Sequence, residues 1–266
     1  MLKLRSILRP AALLVSASIG ALVLGTPAVA TTPTPACTGP SDRLDYPLRR
    51  TSQRLAKGEP LTIVAIGSSS TSGAGASSSS ASYPSRLEVE LKERFPARQV
   101  RVLNRGIGGE EVADMLNRFD RAVLAEEPDL VLWQVGTNSV LRGHSIASVA
   151  ARVREGLERL RASGTDVILV DPQFAPKVLD RPDGERMVDL LGTTAKAENV
   201  GVFHRFAVMR HWHKIQQMPF DTFLSPDGLH MNDWSYACVA KLLAAAIEEA
   251  VTRARAVAGT SATSRP

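Results

Sequence analysis

A chain of 266 residues with 44% hydrophobic and 22% charged side chains has enough apolar material for one sizeable core, which excludes a fibrous or wholly disordered protein. Three of the cations behind the formal charge of +5 are Lys3, Arg5 and Arg9, and the first thirty residues hold no acid, so the remainder carries only +2. A balance that small, with no basic stripe interleaved with aromatics, gives no electrostatic case for a nucleic-acid partner.

In chain order, residues 1–30 come first. A basic start is followed by the uncharged run "AALLVSASIGALVLG" and by "AVA" ending at Ala30, the small-residue pattern of a leader-peptidase site. The run is shorter than the roughly 20 apolar residues of a spanning helix, so we expect a cleaved signal peptide and no membrane insertion afterwards. The expected location is periplasmic or secreted. Residues 31–50 read as a Pro/Thr-rich linker and N-terminal segment, because "TTPTPACTGP" favours an extended tether. Cys37 and Cys238 are either a disulfide formed after export or two unpaired thiols, and the sequence leaves both open.

Residues 51–252 read as one domain in which short β-rich runs alternate with longer helical patterns. "LTIVAI" (61–66), "VRVLN" (100–104), "LVLWQV" (130–135), "VILV" (167–170) and "VGVF" (200–203) have the length and branching of buried strands. "YPSRLEVELKERF" has a proline in its first turn and Leu87, Leu91 and Phe95 on one face. "SVAARVREGLERLRASG" stops at Gly164, and Asn232 is placed to cap "NDWSYACVAKLLAAAIEEAV". Residues 253–266 end in small polar side chains and are expected to be a flexible tail. Five strands alternating with helices imply a three-layer α/β sandwich with a parallel sheet, whose chemistry belongs in the loops after the strands.

Those loops carry "GSSSTSG" after the first strand, "RGIGGEE" after the second, "GTNS" after the third, and "SPDGLHMND" before the final helix. Together they offer a hydroxyl, a glycine-rich backbone, an amide side chain and an Asp/His pair, the parts that acyl transfer requires. In order and spacing the four stretches resemble the blocks of the SGNH, or GDSL-type, hydrolases, a family of esterases and lipases, over residues 61 to 250. The resemblance implies a flavodoxin-like sheet, Ser69 as nucleophile, and Asp227 and His230 as its partners. It also implies an oxyanion hole made by the Ser69 amide, the Gly109 amide and the Asn138 side chain, with no metal or organic cofactor. Two positions depart from the family pattern: its first-block aspartate is Ser68 here, and the aspartate that often follows GTN is Ser139.

Other polar residues have plainer readings. His211 and His213 are expected to be a surface pair, because two residues apart on a helix they diverge. His204 reads as a structural histidine, and Glu110 and Glu111 as the acidic start of a helix. "GASSSSAS" (75–82) is either a spacer or a mobile wall of the substrate cleft. Arg142, His144, Lys177 and Arg181 near the expected rim are offset by Asp180 and Asp183, so no anionic substrate is inferred. The expected function is an exported serine esterase acting on a small acyl ester or acylated glycan, most simply a carbohydrate O-deacylase. The alternatives are a lipid-directed esterase or thioesterase, an acyltransferase with the same triad, and a glycan-binding protein with a degenerate site.

Overall fold

The computed structural model of the chain describes residues 35–40 and 43–263, with side chains described up to residue 256. The expected signal peptide lies outside the described residues. The five apolar runs form strands β1 (Leu61–Gly67), β2 (Val100–Gly106), β3 (Leu130–Gln134), β4 (Asp166–Val170) and β5 (Gly201–Phe203). All pair in parallel, in the order β2-β1-β3-β4-β5. Central parallel strands are covered on both faces and must be apolar throughout; Ile63 to Ile66 in β1 and Leu130 to Trp133 in β3 are fully buried. This is the expected flavodoxin-like, five-stranded α/β sandwich.

The direction of travel across the sheet reverses after β2. Right-handed crossovers therefore place the helix between β1 and β2 on one face and the helices of the connections from β2 to β5 on the other. On the first face Tyr83–Arg94 packs against the final helix, Asp233–Thr263, which also meets Arg49–Lys57. On the second, Ile146–Ala162 packs against Val112–Asn117 and Gly184–Ala197. Gly156 lets that long helix lie directly on the sheet, since a Cβ there would fall 2.2 Å from the buried Trp133 ring. Leu87 and Leu91 are buried as expected, and Asn232 caps the final helix by accepting from the Ser235 amide at 3.1 Å.

Both ends differ from expectation. The final helix continues past residue 252 to Thr263, because alanine-rich sequence favours helix and Arg253 donates to the carbonyls of Leu44 and Asp45. The segment from Cys37 is held against the body and is no tether. Cys37 is joined to the buried Cys238 by a disulfide, Trp212 Nε1 donates to the Thr38 carbonyl at 2.8 Å, and Leu44 and Leu48 are buried. Among the described residues no helix is long and apolar enough to cross a membrane.

Candidate active site

The reversal of strand order makes β1 and β3 neighbours, and in such a sheet the loops beyond their carboxyl ends are where a site forms. β1 runs out at Gly67, Ser68 makes the turn, and Ser69 begins a single helical turn, Ser69–Ser72. Ser68 and Ser70 are buried, whereas Ser69 is half-buried. The turn is held by Gln134 at the end of β3. Its Oε1 accepts from the Ser68 amide at 3.0 Å, the Ser68 hydroxyl at 3.1 Å and the Thr71 hydroxyl at 3.2 Å. A serine in place of the family aspartate thus suits this site: the partner facing it is an acceptor, and serine donates.

The Asp/His pair comes from a tight loop closed by the Leu224–Met231 bridge and by the Ser225 amide donating to the His230 carbonyl at 2.8 Å. His230 Nδ1 bonds Asp227 Oδ2, and His230 Nε2 lies 2.8 Å from Ser69 Oγ, across a sequence separation of 161. Asp227 Oδ1 also accepts from the Ser225 hydroxyl at 2.8 Å and from the Leu229 and His230 amides at 2.9 Å. Burial alone would push the Asp227 carboxyl up, but the bonds from the His230 ring, these two amides and Ser225 outweigh it and hold the group well below the usual carboxylate range. An ionised carboxylate on Nδ1 keeps the proton there and leaves the Nε2 lone pair facing the serine hydroxyl.

Gly109 and Asn138 come from the loops after β2 and β3. Asn138 sits in the helix Thr137–Arg142 and donates from Nδ2 to the Glu110 carbonyl at 2.8 Å, which leaves its second N–H to use. The glycine loop passes beside the serine, for a Cβ on Gly108 would lie 4.0 Å from Ser69 Cβ. Among the described residues the Ser69 and Gly109 amides donate to no other group. Donors from three neighbouring loops are thereby free for an oxygen that develops negative charge.

The sequence reading passed over several residues that build this arrangement. Gln134 was detectable as the lone polar side chain inside the apolar run "LVLWQV". Glu110 is fixed by the buried Arg118, whose Nη2 lies 2.6 Å from Glu110 Oε2 and 2.7 Å from the Arg105 carbonyl. Glu111 starts a helix as expected, and its carboxylate also bonds Ser139, Arg142 and His144. Buried Gln173 accepts from Thr137 Oγ1 at 3.0 Å and donates to the Leu229 carbonyl at 3.3 Å, tying the β3 loop to the histidine loop. Nothing local in the sequence marks these last contacts.

The serine-rich stretch, expected as a spacer or a mobile wall, is pinned at its start beside the histidine loop while Ser77 to Ser80 stay exposed. Tyr236 donates to the Ala74 carbonyl at 2.7 Å, the Ser77 amide donates to Asp233 at 2.7 Å, and Gly75 lies against His230 and Met231. His211 and His213 are not an exposed pair: both are half-buried, and His213 stacks on Phe220 with ring centroids 4.1 Å apart. An aromatic cluster that includes Phe174 draws it in. His204 is exposed and pairs with the buried Asp171 at 3.2 Å, a bond that raises its pKa against the opposing effect of partial desolvation. Among the described residues no group of three or more His, Cys, Asp or Glu is placed to hold a metal ion.

An arylesterase of Vibrio mimicus is 23% identical over 171 residues, covering 61% of this chain and 76% of that protein. An acetylxylan esterase of Geobacillus stearothermophilus is 36% identical over 56 residues, covering 21% and 26% of the two chains. Among solved structures, a two-domain esterase active on acetylated mannans superposes with a TM-score of 0.66 at 23% identity over 80% of this chain. The match spans 56% of that esterase's length, and at this identity it bears on the fold alone. The profile of the non-GDSL lipase-like family matches residues 36–253, and its name agrees with a first block that reads Gly67-Ser68-Ser69. On that match, the chain belongs to the non-GDSL lipase-like family.

Proposed function

We propose that this protein is an exported carboxylic ester hydrolase that uses Ser69, His230 and Asp227 as a catalytic triad and removes small acyl groups from carbohydrate. The carrying observation is the 2.8 Å contact between Ser69 Oγ and His230 Nε2, with Asp227 behind the ring. Ser69 Oγ attacks the ester carbonyl while its proton passes to His230 Nε2. The carbonyl oxygen becomes an oxyanion that accepts from the Ser69 and Gly109 amides and from Asn138 Nδ2, each such donor worth roughly 3–4 kcal/mol in the transition state. As the C–O bond breaks, His230 returns the proton to the leaving alcohol. Water then repeats the sequence on the acyl-enzyme and releases the acid and Ser69.

A sugar alcohol with a short acyl group is supported by the esterases named above that act on acetylated xylan and mannan. The apolar residues of the loop after β4 are also not available to an acyl chain: Phe174, Ala175 and Val178 are buried, and Phe174 packs on Phe206 and Phe220. One observation favours a lipid-directed reading instead, a cavity of about 530 Å³ bordered by Gly75, Phe220, Leu224, Pro226 and Gly228 beside the histidine loop. Export is supported by the leader-like start and by the Cys37–Cys238 disulfide, a bond that persists in oxidising compartments.

The decisive experiment pairs fluorophosphonate labelling with a chain-length series. Ser69 should be labelled, and kcat/KM should fall from aryl acetate to longer esters, with acetate released from acetylated glycans. An apolar acyl groove would instead raise kcat/KM about fourfold per methylene, from ~0.8 kcal/mol each, and that outcome would replace the sugar reading with the lipid one. Absence of labelling would favour a binding protein. Acyl transfer to an added sugar in preference to water would identify an acyltransferase.

A further inference from the structure

Four polar side chains meet beside the oxyanion donors with no part in proton transfer. Glu111 Oε2 accepts from the Ser139 hydroxyl at 2.8 Å and from His144 Nδ1 at 2.8 Å, while Oε1 pairs with Arg142. The same guanidinium reaches on with Nη2 to donate to the Gly109 carbonyl at 2.8 Å. One residue upstream, the Glu110 carbonyl accepts from Asn138. The loop after β2 and the helix after β3 are therefore joined by a carboxylate that binds the neighbour of Asn138 directly and binds Gly109 through Arg142. Ser139 stands where the SGNH pattern often has an aspartate. Its short hydroxyl can donate to Glu111, whereas an aspartate there would set two carboxylates against each other.

We propose that Glu111 is a positioning residue for hydrolysis: through Ser139 and Arg142 it holds Asn138 and Gly109 in the arrangement that receives the oxyanion. This inference rests on the serine-esterase reading above. Glu111 is only 16% exposed at its side chain, so its ion pair with Arg142 is shielded on the carboxylate side. Arg142 holds the carbonyl of the Gly109–Glu110 peptide, whose N–H also donates to the Ile107 carbonyl at 3.4 Å, and the Gly109 amide is coupled to that peptide across a backbone with φ +79 and no side chain to brace it. Asn138 is fixed at its tip by Glu110 and at its neighbour by Glu111. Without the carboxylate, Ser139 beside Asn138 and Arg142 on the Gly109 carbonyl would lose their common anchor, and both donors would be held less firmly.

Glu111 also caps the helix Val112–Asn117 in a reciprocal box with Asp114, so a purely structural role would lower stability and leave kcat intact. The two roles separate in Glu111→Gln, which keeps a capping oxygen but turns an amide N–H₂ toward Arg142 or toward Ser139 and His144. The full-length enzyme would be assayed on 4-nitrophenyl acetate with kcat, KM and thermal midpoint measured for wild type, Glu111→Gln, Asn138→Ala and the double variant.

Loss of one oxyanion donor costs about 100-fold or more, so misplacing donors without deleting them should lower kcat about tenfold with KM within about twofold. The double variant should lose less than the product of the two single losses, because both act on the same donor. A folded Glu111→Gln enzyme with wild-type kcat, or losses that multiply fully, would overturn the inference. If Glu111→Gln does not fold, Ser139→Ala and Arg142→Met decide it: reduced kcat at unchanged KM in both supports the role, and wild-type kcat in both refutes it. Ser69→Ala keeps the two readings apart. An active Ser69→Ala enzyme would sink the serine-esterase proposal itself, whereas an inactive one beside an unimpaired Glu111→Gln would sink only the positioning role.

Discussion

Replacing Gly75 by alanine tests whether the serine-rich loop is a working wall of the site. Gly75 has φ +87, and a Cβ there would lie 2.5 Å from the Met231 carbonyl oxygen, 3.0 Å from His230 Cβ and 3.1 Å from Ser225 Cβ. Ordinary contact begins at about 3.5 Å, so Met231 must retreat by about 1 Å and His230 by about 0.5 Å. The loop cannot move away instead, because Tyr236 holds Ala74 and Asp233 holds Ser77. The left-handed backbone costs an L-residue about 1–2 kcal/mol and the overlap about 1–3 kcal/mol, which makes Gly75→Ala roughly 2–5 kcal/mol less stable. Since a 1 Å misplacement at a catalytic group can cost about 100-fold, half that distance at His230 should lower kcat about tenfold. Urea unfolding monitored by tryptophan fluorescence gives the first number, and 4-nitrophenyl acetate turnover gives the second. Stability within about 0.5 kcal/mol of wild type together with unchanged kcat would refute the wall, because surface changes away from such contacts stay inside that range.

Three further outcomes follow from the site. Ser69→Ala should abolish ester hydrolysis, whereas Ser70→Ala should keep most activity and Ser68→Ala should lose about 1 kcal/mol of stability with its hydrogen bond to Gln134; equal loss of activity in all three would mean that the turn and not one hydroxyl had been damaged. Asp227 is depressed when folded, so its stabilising contribution is fully present above the ordinary carboxylate value of about 3.9 and disappears only as pH falls below it. Acid unfolding at pH 4–5 that Asp227→Asn abolishes would contradict this, and the same variant should lower kcat about a thousandfold or more through the tautomer of His230. Reducing the Cys37–Cys238 disulfide removes a constraint spanning 201 positions and should lower stability by about 2–5 kcal/mol; an identical thermal midpoint with and without reductant would count against it.

The sequence by itself determined the strands, the class of fold and the identity of the chemical groups. Runs such as "LTIVAI" and "LVLWQV" are apolar at all but one position, because a central parallel strand is covered on both faces. The blocks around Ser69, Gly109, Asn138 and Asp227/His230 were legible because each is a local pattern within a few residues. Only the tertiary structure decided which groups meet. The Ser69–His230 contact, the bonds from Gln134 to the nucleophile turn, the clasp of Glu111 on Ser139 and Arg142, and the choice of disulfide over free thiols all join residues between 28 and 201 positions apart. Such contacts depend on the order β2-β1-β3-β4-β5 and on the face to which each crossover turns, which local propensity does not encode. The same limit explains the pinned serine loop, the stacked His213 and the helix that continues to Thr263. Each was read from its own composition, and each takes its conformation from partners elsewhere in the chain: Tyr236 and Asp233, Phe220, and the Leu44 and Asp45 carbonyls.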